Sequence, residues 1–239
     1  MFNRPGIISQ SRIIPPIAPI TPTSTILYLR GDDLIDRSRT PKSITGASHA
    51  ENTITFDTGD SIYGSNASMV FPSSTSSYQK WSARISNVSL GNAPWTMEMW
   101  IKRLGTDVRM SVLTFLPPSP NGSLYTFQPM LNGFAADLSF WEHNGSTRTI
   151  SNVTQNSWVH LAICRQNDNT IKMFRNGTQF FSGAYTRDNT SFSELYLGVK
   201  AYGTTVEAAR SSFKLAHFHL ASVCYYTTNF TANKAAGFS

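Results

Sequence analysis

The chain has 239 residues, of which 40% are hydrophobic, 12% aromatic and 14% charged, enough to bury a core without disulfide staples. Its formal charge of +6 is spread along the sequence, with one loose grouping at Arg30, Arg37, Arg39 and Lys42; the focused basic stripe with stacking aromatics that nucleic acid demands is missing. No apolar run approaches the roughly 18–20 residues of a membrane-spanning helix, so neither a nucleic-acid partner nor a membrane is expected.

Residues 1–23 stand apart. The stretch Pro15-Pro-Ile-Ala-Pro-Ile-Thr-Pro22 favours an extended, polyproline-like path. The same segment carries Ile7, Ile8, Ile13, Ile14, Ile17 and Ile20, too apolar for a solvated linker. It reads as an arm that docks on something, either its own domain or another subunit. Prolines break the apolar run that a signal peptide requires, so folding in a cytoplasm is the expectation.

From Ile26 onward, short strands alternate with Gly, Asn, Pro and Ser punctuation. The pattern predicts strands over 26–30, 54–56, 68–71, 95–103, 111–115, 125–130, 135–142, 158–166, 170–175, 178–182, 194–199 and 213–224. Asn176-Gly177 marks a hairpin, because a type I′ turn needs positive φ at both central residues; Asn144-Gly145 marks a second. Strands without intervening helices predict an all-β, antiparallel two-sheet jelly-roll sandwich over residues 24–239.

Alternation assigns faces within it. Trp95, Met97, Met99 and Ile101 share a core face, as do Val159, Leu161 and Ile163, and then Leu195, Leu197 and Val199. Glu98, Trp100, Trp158, His160 and Cys164 fall opposite. Cys164 and Cys224 both lie in predicted strands and read as buried thiols rather than a disulfide framework.

Four segments resemble the laminin-G-like domains of the concanavalin A-like superfamily, in the version common in phage and bacterial surface proteins. They are Ile26-Leu-Tyr-Leu-Arg-Gly-Asp-Asp33 with Asp36-Arg-Ser38; Ser61-Ile-Tyr-Gly-Ser-Asn-Ala-Ser-Met-Val-Phe71; Trp95-Thr-Met-Glu-Met-Trp-Ile-Lys102 with Ser157-Trp-Val-His-Leu-Ala-Ile-Cys-Arg165 and Ile171-Lys-Met-Phe-Arg-Asn-Gly177; and Leu215-Ala-His-Phe-His-Leu-Ala221 with Tyr226-Thr-Thr-Asn-Phe-Thr231. The order of these motifs covers roughly residues 24 to 232. The chain departs from the pattern at His217 and His219, where the family often carries an acidic residue and an arginine. It departs again at Tyr225 and Ala232, which replace an arginine and a proline.

The resemblance raises glycoside hydrolysis, calcium binding and sugar recognition. Hydrolysis needs two carboxylates roughly 5–9 Å apart; Glu98 has Thr96 and Trp100 as same-face neighbours, so pairing with an Arg or Lys is the expectation and no catalytic residue is assigned. The histidines, His49, His143, His160, His217 and His219, read as sheet residues rather than metal ligands. No cofactor is expected, with calcium at Asp32, Asp33 and Asp36 as the one alternative to ordinary aspartate turn chemistry. Sugar recognition would draw on Trp100, Glu98, Trp141 and Tyr202. Together these features predict a non-enzymatic structural protein of a tailed-phage virion (capsid decoration, tail or fibre). It would be held by its arm on other virion subunits, as a homo-oligomer or within a larger assembly. Glycan binding is the alternative.

Overall fold

The computed structural model describes residues 23–47, 53–62, 67–72, 82–104, 109–116, 128–132, 137–141, 147–150, 153–185, 193–202, 205–208 and 212–232. The isoleucine-rich arm and the Asn144-Gly145 turn lie outside these residues.

No helix occurs among the described residues. The strands, in chain order, begin with β1 (Thr25–Leu29), β2 (Ile44–Thr45), β3 (Thr55–Asp57), β4 (Ser68–Phe71), β5 (Ala83–Ser86) and β6 (Trp95–Arg103). Next come β7 (Arg109–Ser111), β8 (Leu113–Leu116), β9 (Gln128–Asn132), β10 (Asp137–Trp141), β11 (Thr147–Ile150) and β12 (Trp158–Arg165). The last are β13 (Thr170–Arg175), β14 (Thr178–Ala184), β15 (Glu194–Leu197), β16 (Val199–Tyr202), β17 (Thr205–Ala208) and β18 (Phe213–Ala221).

The largest sheet runs β14-β13-β12-β6-β18-β4-β3, with β1 beside β18. A second runs β2-β5-β15-β8 and a third β11-β10-β9-β7; β16 and β17 form a separate ribbon. Each of these pairings is antiparallel. The core lies between the first two sheets. Trp95, Met97, Met99, Ile101, Val159, Leu161 and Ile163 from the large sheet meet Ala83, Ile85, Leu113, Phe115, Leu195 and Leu197 from the smaller. Period-two alternation thus places these side chains as expected.

Three predicted strands are corrected. The span 111–115 is two strands that join different sheets on either side of Val112. The span 194–199 breaks at Gly198, where φ is +69° and a Cβ would stand 2.6 Å from Ser82 Oγ; Val199 starts β16. The span 213–224 ends at Ala221, which puts Cys224 outside the sheet. The strands β2, β5, β11 and β17 are too short for periodicity to show.

The hairpin at Asn176-Gly177 has the expected positive φ at both residues, +50° and +81°. Its turn also receives the C-terminal segment, because Phe230 N–H donates to Gly177 O at 2.9 Å. Residues 222–232 form a strap over the outer face of the large sheet. Tyr225 N–H donates to Thr96 Oγ1 at 2.9 Å, Lys172 Nζ to Thr227 O at 2.7 Å, and Gln179 N–H to Asn229 Oδ1 at 2.8 Å. The strap covers Thr96 and Glu98, and Ile62 and Ala216 pack on Trp100, so all three are wholly buried on the face away from the core.

Candidate functional site

The outer face of the large sheet has a buried carboxylate at its centre. Register sets Glu98 of β6 opposite His219 of β18 and Ala162 of β12. His219 Nδ1 lies 2.9 Å from Oε1, His160 Nε2 lies 3.4 Å from Oε2, and the Tyr226 hydroxyl from the strap donates to Oε2 at 2.6 Å. Burial pushes the Glu98 carboxyl up, but the hydrogen bonds from His160 and His219 outweigh it and hold the group below its ordinary value. Glu98 thus pairs with two histidines and a tyrosine, not with the Arg or Lys expected. Thr25 Oγ1, 3.0 Å from His219 Nε2, completes that imidazole's contacts on the β1 side.

His217 has φ of +53° where the β18–β6 register slips. It bonds Tyr28 Oη at 3.2 Å and Ile62 O at 3.2 Å through its two nitrogens. Trp100 packs with Ile62 and Ala216, its ring 5.0 Å from His160. Enclosed in this way, Trp100 presents no ring face, and Glu98 no oxygen, to a ligand. That corrects their reading as a sugar platform. Trp141 sits on β10 and Tyr202 on β16; their side chains lie outside the described residues.

One end of this face carries a partly buried ionic cluster. Asp60 accepts from Lys102 Nζ at 2.8 Å, Lys214 Nζ at 2.5 Å and Trp158 Nε1 at 3.0 Å, and Lys214 also reaches Asp57 at 2.5 Å. Partial burial raises the Asp60 carboxyl, but its three donors prevail and bring it down to about 2.

The aspartates of the first loop are held by protein groups. Asp32 pairs with Arg30 at 3.1 Å and Arg37 at 3.4 Å, and Asp33 with Arg37 at 2.5 Å. Asp36 accepts from Tyr28 N–H, Ser38 N–H, Ser38 Oγ and Lys42 N–H at 2.7–3.0 Å. Guanidinium and amide donors fill the directions from which these oxygens would ligate a cation, so the trio does not fit the oxygen cage of calcium. No group of His, Cys, Asp and Glu among the described residues is arranged to hold a metal.

The other end of the sheet is open. Because β12, β6 and β18 are antiparallel neighbours, the start of β6 lies beside the ends of the other two. Their flanking residues line a groove of about 680 Å³: Pro94, Gln166, Asn167, Asp168, Ser222, Val223, Cys224 and Thr227. Arg165 braces it, donating to Gly91 O at 3.4 Å, Asn92 Oδ1 at 3.2 Å and Asn169 Oδ1 at 2.8 Å. Thr170 N–H donates to Asp168 Oδ1 at 2.9 Å, which closes the 166–169 turn. That backbone hydrogen bond holds the exposed Asp168 carboxyl below its usual value. None of these was foreseen as a site residue from the sequence, where Gln166, Ser222, Val223 and Cys224 read as strand and Pro94, Asn167 and Asp168 fell between strands.

Residues 74–220 match the family model of the concanavalin A-like lectin/glucanases superfamily, of laminin-G type, and the chain belongs to that family. The family expected from the motif order is therefore the one found. No curated protein matches the chain. Among solved structures it is similar to the binding domain of botulinum neurotoxin serotype G (TM-score 0.57, 13% identity, covering 84% of this chain and 48% of that one). It is also similar to the serotype D ligand-binding domain in complex with N-acetylneuraminic acid (0.58, 13%, 85% and 48%). A third is the binding domain of botulinum neurotoxin DC in complex with rat synaptotagmin II (0.58, 11%, 85% and 49%). The chain spans about half the length of each, and at these identities the likeness is one of fold.

Proposed function

We propose that the chain is a non-enzymatic recognition domain that binds a glycan in the groove at the β6, β12 and β18 strand ends. The observation that carries this reading is the strap. It covers the outer face of the large sheet and engages Glu98 Oε2 through Tyr226, while His219 of β18 holds Oε1 and the groove beside the strap stays open. The groove offers amides from Gln166 and Asn167, a carboxylate from Asp168 and hydroxyls from Ser222 and Thr227. Such donors and acceptors complement sugar hydroxyls, and Pro94 and Val223 add an apolar wall for ring C–H groups. A neighbour of the same fold in complex with N-acetylneuraminic acid supports a glycan as the ligand class.

In this reading the domain is displayed on a tailed-phage virion, anchored to other subunits through residues 1–23. The support is compositional: six isoleucines among prolines in a segment without helical pattern. Such an extended chain adds main-chain and apolar contacts across a subunit boundary. A glycan array is the test, with the double change Asn167→Ala and Asp168→Ala as the control. Binding reduced about tenfold or more by that change supports the groove, since tenfold corresponds to about 1.4 kcal/mol. A blank array from folded protein overturns glycan recognition. Undiminished incorporation into particles after deletion of residues 1–23 overturns the anchoring role.

A further inference from the structure

Cys224 lines the groove and packs against the buried cluster that contains Cys164, and neither cysteine is used by the reading above. Both are thiols. Cys164 lies on the outer face of β12, directly across from Thr96 of β6. It is buried with Ala162, Phe174 and Tyr226. Cys224 belongs to the strap, is half-buried, and lines the groove.

One hydroxyl fixes their relation. Thr96 Oγ1 is 3.4 Å from Cys164 Sγ; it also donates to Val223 O at 2.8 Å and accepts from Tyr225 N–H at 2.9 Å. Val223 and Tyr225 flank Cys224, so the group that touches the first thiol also clamps the backbone on both sides of the second. Cys224 packs against the buried cluster that contains Cys164. Interaction with Cys164 outweighs partial burial and holds Cys224 below its ordinary value; in its thiol form the S–H donates to Tyr226 O at 3.5 Å. Burial pushes Cys164 up. A groove-lining thiol packed against the cluster that holds a buried second thiol, with one threonine hydroxyl touching the second and clamping the backbone around the first, has the layout of an attacking and a resolving cysteine.

We propose that Cys224 is a modification site for hydroperoxides, and that its stable product is a Cys164–Cys224 disulfide tying the strap to β12. In the first step the Cys224 thiolate attacks the peroxide. An S–O bond forms, the O–O bond breaks, sulfur is oxidised by two electrons to a sulfenic acid, and the departing oxygen takes a proton from solvent to leave as an alcohol, or as water from hydrogen peroxide. In the second step Cys164 attacks that sulfur. The S–S bond forms, the S–O bond breaks, and the hydroxyl departs as water with the Cys164 proton. The strap residues Ser222 to Thr227 form one wall of the groove, so the disulfide fixes that wall to the sheet. This inference rests on the thiols alone and stands apart from glycan binding.

The experiment is hydrogen peroxide treatment of the full chain, followed by intact mass and non-reducing peptide mapping. The expected result is the loss of two hydrogens and one cross-linked pair of peptides containing Cys164 and Cys224. In Cys164→Ser, a dimedone-type probe should label Cys224; in Cys224→Ser, Cys164 should stay reduced. Native iodoacetamide treatment should alkylate Cys224 and leave Cys164 free. Two results would overturn the proposal: both thiols unmodified at peroxide levels that oxidise a free thiol control, or sulfinic and sulfonic acids at Cys224 without the cross-link. Each readout uses no ligand, so it cannot be confused with failure of glycan recognition.

Discussion

At the scale of single residues, Glu98 shows how a polar side chain on a sheet face becomes interior. The alternation of Trp95-Thr-Met-Glu-Met-Trp-Ile101 set it opposite the core, and it is opposite the core. What periodicity does not carry is the identity of partners far away in sequence. His219 lies 121 positions away and Tyr226 lies 128 away. They reach Glu98 through the β6–β18 register and through a strap that lacks any secondary-structure pattern. Removing the carboxylate leaves two buried imidazoles and a phenol without their shared acceptor. Loss of one partner from a buried charged group costs roughly 3–5 kcal/mol. Glu98→Ala is therefore expected to lower the unfolding free energy from urea titration by an amount in that range, with a matching fall in midpoint, and Glu98→Gln, which keeps the shape and one acceptor, by less. A midpoint unchanged in both variants would mean that the cluster contributes nothing to the fold.

At the scale of elements, the turn at Asn176-Gly177 was legible because its chemistry is local. Two residues with positive φ are written into the dipeptide itself, and the flanking strands pair as Arg175 with Thr178. The second task of that turn was not legible. A Cβ on Gly177 would stand 1.8 Å from Phe230 O, so the glycine is also the seat of the strap. Gly177→Ala meets two obstacles, the φ of +81° and the Phe230 carbonyl. Destabilisation of more than about 1 kcal/mol is expected for a glycine held in such a conformation. The specific sign is at Phe230, whose amide donates to Gly177 O. Its hydrogen exchange should quicken in the variant more than that of amides within β6. Equal acceleration at both places would assign the loss to the hairpin alone.

The same contrast between local and distant signals holds for the loops. Asp36-Arg-Ser38 was visible as a motif through family resemblance, and its aspartate does lock a turn, accepting from Ser38 and Lys42. The groove was invisible, because Pro94, Gln166 and Ser222 become neighbours only once three strands are side by side.

At the scale of the whole molecule, the fold class and family were legible because motif order and face alternation are properties of the entire chain. The charge balance is another such property, and it yields a prediction about acid. Twenty Lys and Arg outnumber fourteen Asp and Glu. Protonating the carboxylates therefore leaves a strongly cationic chain that repels itself. The cost is concentrated where carboxylates are held by donors in the folded state. Asp60 is such a group, gripped by Lys102 of β6, Lys214 of β18 and Trp158 of β12. Its folded-state value, about 2, lies below its ordinary 3.8. A lowered value means the folded state binds the proton less well than the unfolded chain does. Its stabilisation is then complete above 3.8 and is lost as pH falls through the interval down to about 2. Asp60→Asn removes this contribution. Urea midpoints of the variant and the native protein should differ near neutral pH, converge across that interval, and coincide below it. Midpoint curves that stay parallel to the most acid pH would show that Asp60 does not couple the three strand ends to protonation.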